Sequence, residues 1–257
     1  MTVGERPSYF LSDLHLAAAS GERTERLLRF FGARIGEAAA VYLVGDVFDF
    51  WLGYRSVVYH AYFPVLRRLA ELVEAGTRVV VFSGNHDPDP GPLWATLGIQ
   101  IQEGPLTLTL GGRRVWVEHG DTIDPRGPLH RGVCKVARHP LARRAARAVH
   151  PDLAWRLARA YSRGNPHRYD APLPAGLIER WFPERVAAGF DVAIIGHYHR
   201  AVHHVAELGG RPRQLFALGD WVEQHTYLRY DGAFTLLRDR GPDRPPVALP
   251  PGDHAPG

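Results

Sequence analysis

Seven side chains suited to holding cations stand at the ends of short apolar runs in this chain. Tyr9-Phe10-Leu11 leads into Ser12-Asp13-Leu14-His15, and Val41-Tyr42-Leu43-Val44 into Gly45-Asp46. Val79-Val80-Val81-Phe82 leads into Ser83-Gly84-Asn85-His86-Asp87. Later runs lead into His119-Gly120-Asp121 and Gly196-His197-Tyr198-His199. One aspartate after a strand is ordinarily a turn or capping residue. Five runs ending alike are another matter, because a parallel or mixed sheet brings its strand tips to one edge. Asp13, His15, Asp46, Asn85, His119, His197 and His199 gathered there are not core filler, since their desolvation needs compensation. A pair of divalent cations supplies it. Oxygen and imidazole donors without thiolates favour manganese, iron or zinc over copper or a structural zinc.

The intervening pattern alternates. Strands are expected at 9–12, 41–44 and 78–82, with helices at 23–35 and 57–74 between them, the second closed by Gly76. That is a β-α-β-α-β start, hence an α/β fold. Strands at 99–102, 106–110 and 113–118 follow, the last two joined through Gly111-Gly112. A helix at 177–188, a strand at 192–195 and three further strand-like runs reach about residue 237. Residues 1–238 are read as one domain interrupted at 122–175. The proline- and glycine-rich tail, 239–257, is expected to be disordered.

At 257 residues, 45% hydrophobic and 23% charged, the chain can bury one sizeable core. Its single cysteine, Cys134, excludes an intramolecular disulfide and a cysteine-rich metal site. The polar start, residues 1–7, does not read as a signal peptide, and no run approaches the roughly 18 apolar residues of a membrane span. The expected location is cytoplasmic.

The charge is concentrated. Arg126, Arg131, Lys135, Arg138, Arg143, Arg144, Arg147, Arg156, Arg159, Arg163 and Arg168 are offset only by Asp124 and Asp152, although the whole chain carries a net charge of just +4. A one-sign segment in an otherwise acidic chain implies an anionic partner. Pro128, Pro140 and Pro151 mark helix starts in this segment. Leu141, Ala145, Ala148 and Val149 recur at helical spacing, as do Leu153, Leu157, Ala160 and Tyr161, and both sets read as packing stripes. Trp155 lies opposite the second stripe near Arg159, which suits a bilayer interface or an acyl-chain groove.

Together the motifs Asp13-x-His15, Gly45-Asp46, Gly84-Asn85-His86-Asp87, His119 and Gly196-His197-x-His199 resemble the calcineurin-like metallophosphoesterase superfamily, in its order and over nearly the whole chain. The resemblance implies an αββα four-layer sandwich carrying a helical cap. It implies that Asp13, His15, Asp46 and His199 hold one metal and that Asp46, Asn85, His119 and His197 hold the other, bridged by Asp46. It makes His86 the acid that contacts the substrate phosphate and Asp87 its orienting partner. Serine/threonine protein phosphatases have Gly after the first histidine and Asp-Arg-Gly after the second aspartate; Leu16 and Phe48-Asp49-Phe50 depart from both.

Within the superfamily, Ser12-Asp13-Leu14-His15-Leu16, Gly45-Asp46-Val47-Phe48-Asp49-Phe50-Trp51, the helical insertion and Leu218-Gly219-Asp220-Trp221 resemble the UDP-2,3-diacylglucosamine pyrophosphohydrolases of lipid A biosynthesis. Those enzymes release UMP and a diacylated glucosamine 1-phosphate, with manganese as the usual metal, and carry arginine at the position of His86. The resemblance implies a lipid-linked sugar nucleotide as substrate, met at the cytoplasmic face of the inner membrane by the basic cap. Asp124, Ser162, Arg163, Asn165 and Arg168 fall where such enzymes contact substrate. The other reading of the basic cap is a nuclease or nucleotide phosphodiesterase, with nucleic acid as partner.

Overall fold

The computed structural model describes residues 6–17, 21–123, 132, 136, 138–164 and 172–254. Side chains are described for all of these except residues 158, 159 and 161–164. The first sheet is built on β1 (Ser8–Leu11), β2 (Ala40–Leu43), β3 (Arg78–Phe82) and β4 (Gln100–Gln102), which run parallel in that order. Helices α1 (Gly21–Gly32) and α2 (Phe63–Glu74) make the first two crossovers. Proline 64 lies in the first turn of α2, where its missing amide costs nothing. The α2 segment is therefore shorter than expected from periodicity, with a separate 3₁₀ turn at His60–Tyr62 before it. A short helix, α3 (Leu93–Thr96), precedes β4.

The second sheet begins with the hairpin β5 (Leu106–Leu110) and β6 (Arg113–Glu118). It continues with β7 (Val192–Ile195), β8 (Ala201–Leu208) and β9 (Arg211–Leu218), in the order β8-β9-β7-β6-β5. Strands β10 (Thr226–Tyr230) and β11 (Phe234–Arg238) return antiparallel to the first sheet beside β1. Four strands thus follow β7 before residue 239, where three runs are legible, because the hairpin turn Gly209-Gly210 divides one long stretch.

Three clusters of buried side chains separate four layers. Leu27, Phe31, Leu66 and Leu69 pack α1 and α2 on one face of the first sheet. Phe10, Tyr42 and Leu228 meet Val117, Ile194 and Phe216 between the sheets. The outer face of the second sheet is covered by a π-helical turn (Leu177–Trp181) running into α6 (Phe182–Ala187), through Leu177, Trp181 and Phe182. This is the αββα sandwich. Two further helices lie between β6 and β7: α4 (Pro140–Arg147), tied to the domain by ion pairs of Arg143 with Glu103 and Arg147 with Asp89, and α5 (Pro151–Gly164), whose Trp155 packs against the first cluster.

Three expectations are overturned, the first being the packing stripe of α4, where Leu141, Ala145 and Ala148 are all exposed. The tail is ordered into strands: β12 (Val247–Ala248) pairs with β11, and β13 (Gly252–His254) pairs with β8. Open edges of both sheets offer unpaired backbone groups, and even a proline-rich segment can satisfy them over two or three residues. The face of α5 is also reversed. Leu153 and Leu157 are 50% and 59% exposed, while Trp155 enters an aromatic group, 4.4 Å from the Tyr59 ring and 5.4 Å from Tyr62. An indole buries more apolar area than a leucine, so one tryptophan outweighs the stripe.

The reversal sets up a direct comparison. Trp155→Ala is expected to lower stability by about 2 kcal/mol, part of the usual cost of truncating a buried aromatic. Leu157→Ala should change it by less than about 0.5 kcal/mol, as for other exposed positions. Urea denaturation of the two variants measures the difference, and equal losses would restore the leucine stripe to the interior.

Candidate metal centre

The strands β1, β2 and β3 end at one edge of the first sheet, and β6 and β7 at the same edge of the second. Pairing of β1 with β2 continues past their ends: Asp13 N donates to Gly45 O (3.2 Å), His15 N to Asp46 O (3.0 Å) and Leu16 N to Val47 O (3.1 Å). The two ligand loops are therefore zipped together by their backbones. Two glycines allow side chains to close on them. A Cβ at Gly84 would fall on the Asp46 carboxylate, and one at Gly196 on Ser12 and Asp13.

The expected residues form two buried groups, Asp13, His15 and His199 in one and Asp46, His119 and His197 in the other. Asp46 Oδ2 faces both, 3.8 Å from His15 Nε2 and 3.4 Å from His119 Nε2. Asn85 Oδ1 lies 3.3 Å from His119 Nε2, on the side of the second group. His119 Nδ1 lies 2.8 Å from Val44 O, so it donates there and Nε2 is the nitrogen turned to the centre. Five of the six non-glycine residues with positive φ among the described residues are Asp13 (54°), His15 (41°), Asp46 (52°), His197 (70°) and His199 (52°). Such backbone costs on the order of 1–3 kcal/mol per residue and persists where surroundings over-determine it.

These residues fit divalent cations. Asp13 Oδ1 is buried and accepts no hydrogen bond, while His199 Nε2 and His15 Nε2 stand 3.4 and 3.8 Å from it. Those two imidazole nitrogens are 3.2 Å from each other. Two ring nitrogens so close, facing a bare carboxylate oxygen, suit a shared positive ion.

Electrostatics say the same. Burial alone would raise the Asp13 and Asp46 carboxyls, but His199 and His15 hold the first well below the usual range, and His119 and His86 the second. Burial would lower His15 and His119, yet Asp13 and Asp49 push the first up to about 10, and Asp46 does so for the second. Without cations, protons on the imidazoles supply the missing positive charge.

His86 sits at the rim, its ring 4.8 Å from that of His15 and its amide donating to Asp46 Oδ1 at 2.9 Å. Its Nδ1 is 3.0 Å from Asp49 O. Asp87 is not its orienting partner. That carboxylate accepts the amides of Gly84 (2.7 Å), Val47 (2.9 Å) and Asp46 (3.2 Å), and so ties two ligand loops together. Burial and the nearby Asp46 charge push Asp87 up to about 6. Asp49 escaped the sequence reading as a site residue: its Oδ1 stands 3.4 Å from His15 Nδ1, orienting that ring. Its place three residues after Asp46 was the available signal.

Of the expected substrate contacts, Asp124, Asn165 and Arg168 lie outside the described residues. Ser162 and Arg163 are on α5, but their side chains are not described. Several arginines of the basic segment are occupied internally. Arg138 pairs with Asp121 (2.7 Å), Arg143 with Glu103 (2.8 Å) and Arg147 with the buried Asp89 (2.9 Å). Arg55, Arg144, Arg147 and His150 line a cleft of about 720 Å³ between residues 54–57 and the α4–α5 turn.

Residues 7–201 match the model of the calcineurin-like phosphoesterases. The chain belongs to that family, and it is a metal-dependent hydrolase. Curated relatives are similar over nearly their whole length. One from Porphyromonas gingivalis, named UDP-2,3-diacylglucosamine hydrolase, is 31% identical, covering 89% of this chain and 95% of its own. Relatives with the same name from Ralstonia nicotianae and Ectopseudomonas mendocina are 32% and 30% identical, covering 91% and 86% of this chain and 90% and 93% of theirs. No helix among the described residues is long and apolar enough to cross a membrane.

With the His15 and His119 imidazoles pushed up to about 10 when no cation is bound, cation binding is expected to expel protons. Apparent affinity should therefore rise with pH up to about 10, where both imidazoles have lost their protons. Calorimetric titration of manganese in buffers of different ionisation enthalpy will show the released protons. A heat independent of buffer would contradict the protonated imidazoles.

Proposed function

We propose that the chain hydrolyses the pyrophosphate bond of UDP-2,3-diacylglucosamine to UMP and 2,3-diacylglucosamine 1-phosphate, a step in lipid A biosynthesis. The observation that carries this reading is the buried Asp46 carboxylate set between two groups of imidazoles. Relatives bearing the name of that hydrolase supply the substrate class. Asp13, His15, Asp46 and His199 would hold one divalent cation, and Asp46, Asn85, His119 and His197 the other. Manganese is the metal we expect first, ahead of iron or zinc, given oxygen and imidazole donors. When bound, two such ions neutralise the charge of a pyrophosphate and acidify water.

The protein's own groups do the rest. Asp46 and Asp87 keep the loops of β2 and β3 at fixed separation through backbone amides. With Nδ1 held by Asp49 O, we assign His86 Nε2 to a phosphoryl oxygen, where it stabilises charge or protonates the leaving oxygen. A histidine there, unlike the arginine of the resembled enzymes, can give up its proton.

Residues 122–175 we read as a cap inserted into the domain, with Asp124, Ser162, Arg163, Asn165 and Arg168 reserved for substrate. Its outer face carries exposed Leu141 (70%), Leu153 and Leu157 beside Arg144 and Arg156. Apolar and cationic groups on one helical surface suit acyl chains and anionic headgroups. We therefore place the protein peripherally on the cytoplasmic face of the inner membrane.

Purified protein with manganese is expected to release UMP from UDP-2,3-diacylglucosamine. Cleavage of single-stranded DNA without UMP release would transfer the site to the nuclease reading. Asp46→Ala should lose both metal and activity. His86→Ala should keep two manganese ions by elemental analysis while turnover falls about 10²–10⁴-fold, the usual worth of a proton donor. Unimpaired turnover would remove His86 from the chemistry.

A further inference from the structure

A sixth strand ends at the edge that carries the centre. β9 runs parallel to β7, so the loop following Leu218, residues 219–225, faces the ligand loops. Within it Asp220 has no exposure and Gln224 is 2% exposed. Asp220 Oδ1 accepts the amides of Glu223 (2.7 Å), Val222 (2.8 Å) and Gln224 (3.2 Å), folding the loop back on itself. Asp220 Oδ2 accepts Gln224 Nε2 at 3.0 Å and so fixes the side-chain amide.

That amide grips the backbone on both sides of Arg200. Gln224 Oε1 accepts the amide of Ala201 at 3.0 Å, and Nε2 donates to the carbonyl of His199 at 2.5 Å. A main-chain donor and a main-chain acceptor leave one possible orientation of the amide. His199 is held at a φ of 52°, conformation that needs outside support. The same loop reaches the other side of the same cation position: Trp221 N donates to Asp13 O at 3.2 Å, and Asp13 has a φ of 54°. Asp46 and His119 are anchored differently, through Asp87 and Val44 O.

We propose that Gln224, locked by Asp220, is a positioning residue that sets the cation site of Asp13, His15 and His199 and leaves that of Asp46, His119 and His197 unaffected. Its effect rests on the two-cation reading above. A group orienting a ligand without touching the metal commonly governs affinity by about 10–100-fold. Here it acts through the ligand's backbone, because the carbonyl of His199 and the next amide but one are pinned to one rigid group.

Manganese titrated into cation-free protein, by calorimetry and by electron paramagnetic resonance, tests this without reference to turnover. Wild type should take up two ions with the exchange-coupled spectrum of neighbouring manganese. Gln224→Leu should bind one ion as before and the other about 10–100-fold more weakly, the coupled signal giving way to that of an isolated ion. Gln224→Glu keeps the bond to Ala201 and loses the one to His199; it should split the sites likewise, and it serves if the leucine variant does not fold. Thr226→Val is the control, since that buried hydroxyl donates to Leu218 O at 2.6 Å and closes the base of the same loop. It should lower stability while leaving the two affinities in their wild-type ratio. Unchanged binding by the Gln224 variants, or equal weakening of both sites, overturns the inference and spares the two-cation reading. A wild-type protein that takes up fewer than two ions overturns that reading itself.

Discussion

Asp13 and Asp46 are carboxylates with almost no access to water, and the rest of the molecule is arranged around making that tolerable. An ionised carboxylate in a protein interior is costly unless positive charge and hydrogen-bond donors surround it. The neighbours that answer this demand come from five strand ends in two sheets. His199 and His15 flank Asp13, whose Oδ2 also takes the amide of His197 at 2.8 Å. His119 and the His86 amide serve Asp46. No local segment could supply such a shell. Only a sandwich whose parallel strands finish at a common edge brings residues 13, 46, 86, 119 and 199 together.

That arrangement strains the backbone where side chains must turn inward immediately after a strand. Positive φ at five of the proposed ligands is the visible sign. Left-handed backbone at a branched or ring-bearing residue is unfavourable by itself, so it must be held by bonds that release would break. Here these are the β1–β2 loop ladder, the three amides on Asp87 and the Gln224 amide. Cation-binding geometry is thus stored in the scaffold, and the charged side chains need little rearrangement to receive ions.

Much of the centre was legible before any coordinates, because each ligand follows an apolar strand by one to four residues and strand ends are readable from β-branched runs. The layers were legible for the same reason. What was not legible depends on partners distant in sequence. Nothing near Asp87 says that its carboxylate serves three amides and not the adjacent histidine. Nothing near Gln224 signals His199, twenty-five residues earlier. Helix α5 shows a different limit. Its leucines and its tryptophan lie on opposing faces, so periodicity gave two possible interiors, and only the ring of Tyr59 opposite Trp155 decides between them. The tail misled because composition measures whether a segment can build a core, whereas β12 and β13 need only an open edge.

The attachment of the basic segment bears on what its charge is for. A basic segment held only by solvent would be a flexible anion-gathering arm. Instead Arg138, Arg143 and Arg147 are each paired to a carboxylate of the domain, and Tyr54 and Tyr59 donate to the carbonyls of Val149 and Pro151. Arg138 also donates to the carbonyls of Ser83 and Gly84, beside Asn85. Residues 138–157 are therefore fixed to the domain beside the ligand loops by three of their arginines, with Trp155 as the apolar pin. Helices so fixed hold the exposed Leu141, Leu153 and Leu157, with Arg144 and Arg156, at a set distance from the centre. That suits a substrate whose phosphates and acyl chains are separated by a sugar of fixed length, and it suits a sliding polyanion less well.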